Sequence, residues 1–369
     1  MRLRCNSEHA GLADHYFLLS MLNFFLFLPF SFLFLIFLNF FSFFMVFFSV
    51  LDLVVSVLLA VAFMTLVERK IMGGAQRRTG PNVVGFAGLF QPIADGLKLV
   101  LKELVLPIVS NKFLLVLAPM VFFLLSLLIW AVMPFFESVI FSDLGLGVFY
   151  VFAISSLGVY GVIIAGWASN SRYAFLGCLR SAAQMIAYEV SIGLIVICVC
   201  LNTESLSLID IVEGQKSVFN FVAMFPLFLM FFVSALAETN RPPFDLPEAE
   251  AELVSGYNVE YSSVGFALFF IGEYANILFM CALTVSLFFG GWLSPFPDYL
   301  PFLGSSSIFW FLLKLNFTFS LFVLVRVALP RFRYDQLMSL GWKVFLPLTL
   351  GLVIVHAGAL VFLDFCFSF

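Results

Sequence analysis

Long apolar runs recur from one end of this chain to the other, near residues 17–38, 45–67, 114–133, 148–167, 185–201, 219–236, 264–289, 308–325 and 345–362. Each is close to the roughly 20 residues that a helix needs to cross a bilayer's hydrocarbon, and inside that hydrocarbon every backbone N–H and C=O must be satisfied within the segment. Helices meet that demand one at a time, whereas strands do so only in a closed barrel. A mean hydropathy of +1.12, with 63% apolar and 11% charged residues, leaves no room for a water-soluble core. The expected fold is therefore an all-α polytopic membrane protein.

The cations set its orientation. Of the 18 Lys and Arg, 14 fall in alternate loops: Arg69, Lys70, Arg77, Arg78, Lys98, Lys102 and Lys112; then Arg172 and Arg180; then Arg241; then Arg326, Arg331, Arg333 and Lys343. The opposite loops hold Lys216, with Lys314 near a helix end. Positive loops stay on the side from which the chain inserts, so the large loops face the cytoplasm or the mitochondrial matrix.

Between two apolar runs lies an acidic loop, residues 237–261, with Glu238, Asp245, Glu248, Glu250, Glu252 and Glu260 against the single cation Arg241. Asp245 followed by Glu248, with Pro247 between them, reads as the capped start of a helix, and solvated capping is one reading of these acids. The other is functional. Crowded, partly desolvated carboxylates titrate nearer neutrality and can exchange protons as a set.

Residues 73–88 read as a loop from their glycines and Pro81, and helical periodicity begins at Phe86. Phe86, Leu89, Phe90, Ile93, Leu97, Val100, Leu101 and Leu104 make one face; Gln91, Asp95, Lys98 and Lys102 make the other. This predicts an amphipathic helix on the membrane surface, an anchor or part of an entrance. Three carboxylates fall inside apolar runs, of which Asp52 reads either as lying at the outer mouth of the second span or as facing a partner within the bundle. Glu189 sits about two turns into its span and Glu273 lies mid-span, so each reads either as a packed, hydrogen-bonded group or as a protonatable one on a hydrated path.

Cofactor motifs are missing from this pattern. Cys5, Cys178, Cys198, Cys200, Cys281 and Cys366 form no CxxC pair, and His9, His15 and His356 are scattered, so no metal site is expected. No glycine-rich nucleotide loop follows a strand pattern. Redox chemistry involving this chain would use a cofactor held elsewhere. The arginines interleaved with aromatics at 326–343 suit headgroups or a docked acidic protein, not nucleic acid.

Four segments, VERKIMGGAQRRTGPNVVGFAGLFQPIADGLKLVLKE, AGWASNSRYAFLGCLRSAAQMIAYEVS, AETNRPPFDLPEAEAELVSGYNVEYSS and PRFRYDQLMSLGWKVFLPL, closely resemble the subunit 1 family of respiratory complex I, the proton-pumping NADH:ubiquinone oxidoreductase, in its mitochondrial and proteobacterial forms. The resemblance implies eight core transmembrane helices, which with the surface amphipathic helix occupy residues 45–369; residues 1–44 are a Phe-rich extension longer than the family requires, whose apolar run at 17–38 is read as a further N-terminal span. It implies ubiquinone as substrate, in a tunnel lined or supported by Arg69, Arg77, Asp95, Lys98, Arg241 and Phe244. Glu189, Glu238, Asp245, Glu248, Glu250, Glu252, Glu260 and Glu273 would begin a charged proton-coupling path. Arg326, Arg331 and Arg333 would secure the last loop against the peripheral arm.

The implied partners are the other complex I subunits: two hydrophilic ones at the quinone site, small neighbouring membrane subunits, and, as holders of the iron–sulfur clusters and FMN, the peripheral arm. Membrane lipids surround the chain, and the implied location is the mitochondrial inner membrane with the charged loops on the matrix side. The rival readings are the membrane subunit of an energy-converting hydrogenase, a free-standing ion transporter using the intramembrane carboxylates, and a passive anchor.

Overall fold

A computed structural model describes residues 47–137, 139–245, 256–296 and 305–367. The expected N-terminal span at 17–38 and the loop acids Glu248, Glu250 and Glu252 lie outside the described residues. By internal contacts the chain divides at Val55. Within the first unit the described residues are the opening turns of the first helix, and the packed bundle belongs to the second unit, Ser56–Phe369.

Among the described residues all regular structure is helical, apart from one isolated bridge between Phe136 and Val139. In order come α1 (Phe47–Ala75), α2 (Gln91–Leu101), α3 (Lys112–Leu128, extended by a 3-10 turn to Val132), α4 (Gly147–Ser169), α5 (Arg172–Thr203) and α6 (Leu208–Glu213). After these come α7 (Phe225–Glu238), α8 (Ser263–Phe288), α9 (Ile308–Ala328), α10 (Tyr334–Ser339) and α11 (Leu346–Phe367), the last two joined by a π-helical stretch, Leu340–Phe345. Among the described residues seven helical segments are long and apolar enough to span a membrane. The eighth, α7, is apolar but has 14 residues, about 21 Å of rise against a hydrocarbon core of about 30 Å. A single helical turn, Asn220–Ala223, precedes it, and Met224 breaks the two apart at φ −123°.

Two expectations need correction. Arg172 and Arg180 are not in a loop: α5 begins at Arg172, where the Ser171 hydroxyl accepts the Ala174 N–H at 3.3 Å, and runs 32 residues. Nothing between Ser171 and the apolar run breaks a helix, so the polar stretch simply winds on. Glu189 therefore lies deep in α5 rather than two turns from its start. The surface helix is also shorter than its periodicity suggests. Gly85 and Gly88 take φ of +77° and +78°, and Gly88 has no space for a Cβ beside the Pro81 carbonyl, so the helix starts at Gln91, after that turn.

Lipid gives helices no hydrophobic reason to associate, so close fit must do it. Phe122 of α3 slots between Gly161 of α4 and Gly272 of α8, where an added Cβ would stand 3.0 and 2.8 Å from it. Phe269, Tyr257, Tyr261, Ala165, Ala168 and Cys178 complete this cluster. Around it α4 packs on α3 and α5, α5 on α7, and α8 on α3 and α9.

Candidate functional site

Several buried polar residues, Glu68, Gln184 and Asp245 among them, lie around the end of α7. Asn240 adopts the left-handed conformation at φ +50°, and α7 closes with paired bonds from Asn240 N–H to Ala237 O and from Arg241 N–H to Leu236 O, both 3.2 Å. This is the Schellman arrangement, which an Asn at that position tolerates. It turns the chain back so that Arg241 faces α1 and α8. The Gln184 amide of α5 then donates to Ala237 O at 2.7 Å and Phe244 O at 2.9 Å, pinning the end of α7 and the start of the acidic loop together.

At the centre is Glu68 of α1, whose side chain is 3% exposed. Its Oε1 accepts from Arg241 at 2.8 Å and from Arg326 of α9 through a second short contact. Its Oε2 accepts the Tyr274 hydroxyl at 2.6 Å. The Arg241 guanidinium also stacks 4.4 Å from the centroid of the Tyr274 ring. Burial alone disfavours the Arg241 cation; Tyr274 and the Glu68 carboxylate outweigh it and hold its pKa above the ordinary arginine value. Thr239, Asn240, Arg241, Glu273, Tyr274 and Arg326 together line one small cavity. Glu273 itself accepts a short hydrogen bond from the Tyr257 hydroxyl.

Three further groupings surround this cluster. Arg69 pairs with Asp95 of α2 at 2.6 Å, and Gln91 donates to the same carboxylate at 3.0 Å, tying the surface helix to the end of α1. The pair is around 40% exposed (42% and 37%), so by itself it contributes about 0.2–1 kcal/mol and matters more as a positioning device. Arg331 reaches Asp245 at 3.3 Å, Phe332 N–H donates to Pro243 O at 3.0 Å, and Phe332 stacks on Phe244 at 5.5 Å, so the last charged loop is stapled to the start of the acidic one. Inside the membrane, Glu189 accepts from Ser155 and Ser156, and Glu238 faces the same region across a cavity.

The structure thus brings together Arg241, Arg326 and Glu273 in one group, Arg69 with Asp95, Asp245 with Arg331 and Phe244, and Glu189 with Glu238. It does not join Arg77, Lys98, Arg333 or Glu260 to them. Arg77 is an exposed turn residue at φ +55°, Lys98 is exposed on α2, and Arg333 caps α10 through its backbone N–H to Gln336. Glu260 lines a separate apolar cleft with Tyr261, Leu104 and Pro119. Among the described residues no three His, Cys, Asp or Glu gather as a metal-binding set.

Sequence reasoning missed Glu68 as the hub, and with it Tyr274, Tyr257, Gln184 and the two serines. A trace of Glu68 exists: Val57, Val61, Met64 and Glu68, spaced four, three and four, form a buried stripe of α1, with Leu66 buried beside it. With most of the residues around it also apolar, that stripe has little contrast in the sequence.

The family profile described as NADH dehydrogenase matches residues 48–357, which contain every one of these groupings. The chain belongs to the NADH dehydrogenase family. Its relatives in that family include NADH-ubiquinone oxidoreductase chain 1 of Chondrus crispus, 58% identical over 305 residues, covering 83% of this chain and 93% of the relative. The protein of that name from Arabidopsis thaliana is 59% identical over 305 residues, covering 83% and 94%. An NADH-quinone oxidoreductase subunit of Rhodospirillum rubrum is 57% identical over 309 residues, covering 84% and 91%. The likeness to NADH dehydrogenase subunits thus runs through mitochondrial and bacterial forms alike, as the four sequence segments implied.

Proposed function

We propose that this chain is the membrane subunit of a proton-pumping NADH:ubiquinone oxidoreductase that gives quinone access from the lipid and starts the charged path by which quinone reduction is coupled to proton movement. The observation that carries the reading is the buried hub of Glu68, Arg241, Arg326 and Tyr274, within the region shared with the family. A carboxylate and two guanidinium groups gathered among apolar helices are costly to desolvate, and such groups in membrane proteins mark a working path.

On this reading Arg69, Asp95, Arg241 and Phe244 border the quinone passage, with Arg77 and Lys98 at its rim. Reduction of a quinone puts negative charge in a low-dielectric space, which neighbouring groups must meet by moving protons or shifting position. Glu273, Glu238 and Glu189, together with Asp245, Glu248, Glu250, Glu252 and Glu260, are the groups that respond. Asp245, held by Arg331, couples the acidic loop to the last charged loop, and Arg331 and Arg333 face the peripheral arm. Two hydrophilic subunits of that arm dock at the quinone site, the iron–sulfur clusters and FMN belong to partner subunits, small membrane subunits and lipid flank the chain, and the charged loops face the matrix side of the mitochondrial inner membrane.

The test is a Glu248→Gln, Glu252→Gln double variant, with the assembled complex followed by native gel and NADH:quinone reduction measured with proton uptake. Normal assembly with lowered reduction or pumping supports the reading. Unchanged coupled turnover removes the acidic loop from the mechanism, and ion transport by the purified chain alone would favour the free-standing transporter.

A further inference from the structure

Glu189 is reached by two successive hydroxyls of α4. Ser155 Oγ lies 3.1 Å and Ser156 Oγ 2.6 Å from the same carboxylate oxygen, Oε1. Each hydroxyl also lies within reach of the Phe152 carbonyl one turn back, at 3.0 and 2.7 Å. A serine has one hydrogen to give, so each has two acceptors competing for it. With Glu189 ionised, both hydrogens turn to the carboxylate. With Glu189 protonated, its own O–H donates to a serine oxygen, and that serine's hydrogen swings back to Phe152.

The two serines differ in what lies beyond them. Ser156 is on the exposed side of α4, whereas Ser155 lines the cavity that Glu238, Thr239 and Asn276 also line. That cavity has about 50 Å³ of space, against the roughly 10–15 Å³ that one water occupies on the same measure. Glu238 of α7 is the charged group on that cavity's lining, and Glu189 stands behind Ser155 at hydrogen-bond distance. The remaining lining is apolar or neutral, with Phe122, Phe152 and Met185 among it.

We infer that Ser155 and Ser156 position the Glu189 carboxylate, and that Ser155 carries protons between Glu189 and the cavity shared with Glu238. The inference rests on the reading that Glu189 and Glu238 belong to the coupling path. The transfer balances. Protonated Glu189 gives its hydrogen to Ser155 Oγ, Ser155 gives its own to a water in the cavity, and that water gives one to the Glu238 carboxylate. One proton leaves Glu189 and one reaches Glu238, with serine and water unchanged in composition. Ser156 has no route to the cavity and only holds the carboxylate in place.

The experiment compares Ser155→Ala, Ser155→Thr, Ser156→Ala and Glu189→Gln in the complete complex in its native membrane, scoring assembly, quinone reduction and proton uptake per NADH. Alanine is a good helix former, so assembly is expected to hold. Ser155→Ala should lower coupled turnover about tenfold, the order expected when a hydrogen bond to a charged group is lost. Ser155→Thr, which keeps the hydroxyl, should restore most of it, and Ser156→Ala should lose less. Parent-like turnover in Ser155→Ala, or a threonine variant as impaired as the alanine one, would overturn the relay while a loss in Glu189→Gln left the path standing. A parent-like Glu189→Gln would remove the path, and the serines' role with it.

Discussion

Tyr274 on α8 donates its phenolic hydrogen to Oε2 of Glu68 on α1 at 2.6 Å, which leaves Oε1 to the two guanidinium groups of Arg241 and Arg326. The division fixes the carboxylate's rotation. Without the hydroxyl, the carboxylate is free to turn both oxygens toward the cations. Tyr274→Phe should therefore keep the fold, because the ring still stacks under Arg241, yet lower quinone reduction by about tenfold, as loss of a hydrogen bond to a charged group does. The measurement is NADH:quinone reductase activity per assembled complex. Full activity in this variant would show that the rotation of Glu68 is immaterial.

Arg241 supplies a prediction in pH. Its pKa is raised by Tyr274 and Glu68 despite burial, so its charge is present at every pH below that raised value and is lost only in strong alkali. Activity of the parent enzyme should accordingly show no alkaline limb from this group. Arg241→Lys retains one positive charge but substitutes an ammonium, which burial deprotonates readily and which cannot grip both Glu68 and the Tyr274 ring as a planar fork does. Coupled turnover of the variant should be reduced at neutral pH and should fall further as pH rises. Parallel pH profiles for variant and parent would contradict this.

How far the sequence discloses these arrangements depends on contrast. The spans among the described residues and the surface helix are legible from changes in hydropathy along the chain, and Arg241 stands out as the one cation of the acidic loop, Glu273 as a charge in apolar surroundings. Glu68 does not, because it stands beside Arg69 and Lys70 and only the helical phase, which the mostly apolar body of α1 conceals, separates an inward side chain from outward ones. Ser155, Ser156 and Gln184 are hidden differently. Each is neutral and carries no motif of its own, and its role arises from a partner 34, 33 or 60 positions away. The start of α5 is obscured because Arg172 and Arg180 suggest a loop by their charge, when only backbone chemistry ends a helix.

Gly177 of α5 tests whether close backbone approach holds the site in register. A Cβ there would stand 2.8 Å from Gly256 Cα and 3.0 Å from Tyr257 N, both backbone atoms that cannot swing aside. Tyr257 is the residue whose hydroxyl bonds Glu273. Gly177→Ala should push the 3-10 turn Gly256–Asn258 off α5, costing about 1–3 kcal/mol as overpacking does, and should displace Tyr257 from Glu273. The expected readout is less assembled complex on a native gel at raised temperature, and lower coupled turnover in what remains. An unaffected variant would mean that the turn has room to move without consequence.

Lys314 should behave in the opposite way, affecting stability but not chemistry. Its ammonium lies 2.6, 3.0 and 2.5 Å from the carbonyls of Phe289, Gly291 and Leu293, three donors matched to three acceptors, with the Phe219 ring 5.2 Å away. These carbonyls follow the end of α8, where Gly290 and Gly291 take positive φ and the turn cannot satisfy them from within a helix. Lys314 thereby closes the far end of α8 from α9, at a place that shares no residue with the Glu68 hub. Lys314→Met would leave three carbonyls without their donor, each a loss of about 1–3 kcal/mol where water cannot reach. Lys314→Arg preserves charge but spreads its donors in a flat fork that three converging carbonyls do not match. Both variants should lower the temperature at which the complex dissociates, methionine more than arginine, while the KM for quinone in surviving complex stays at the parent value. A raised KM with unchanged thermal stability would instead place Lys314 in the quinone path.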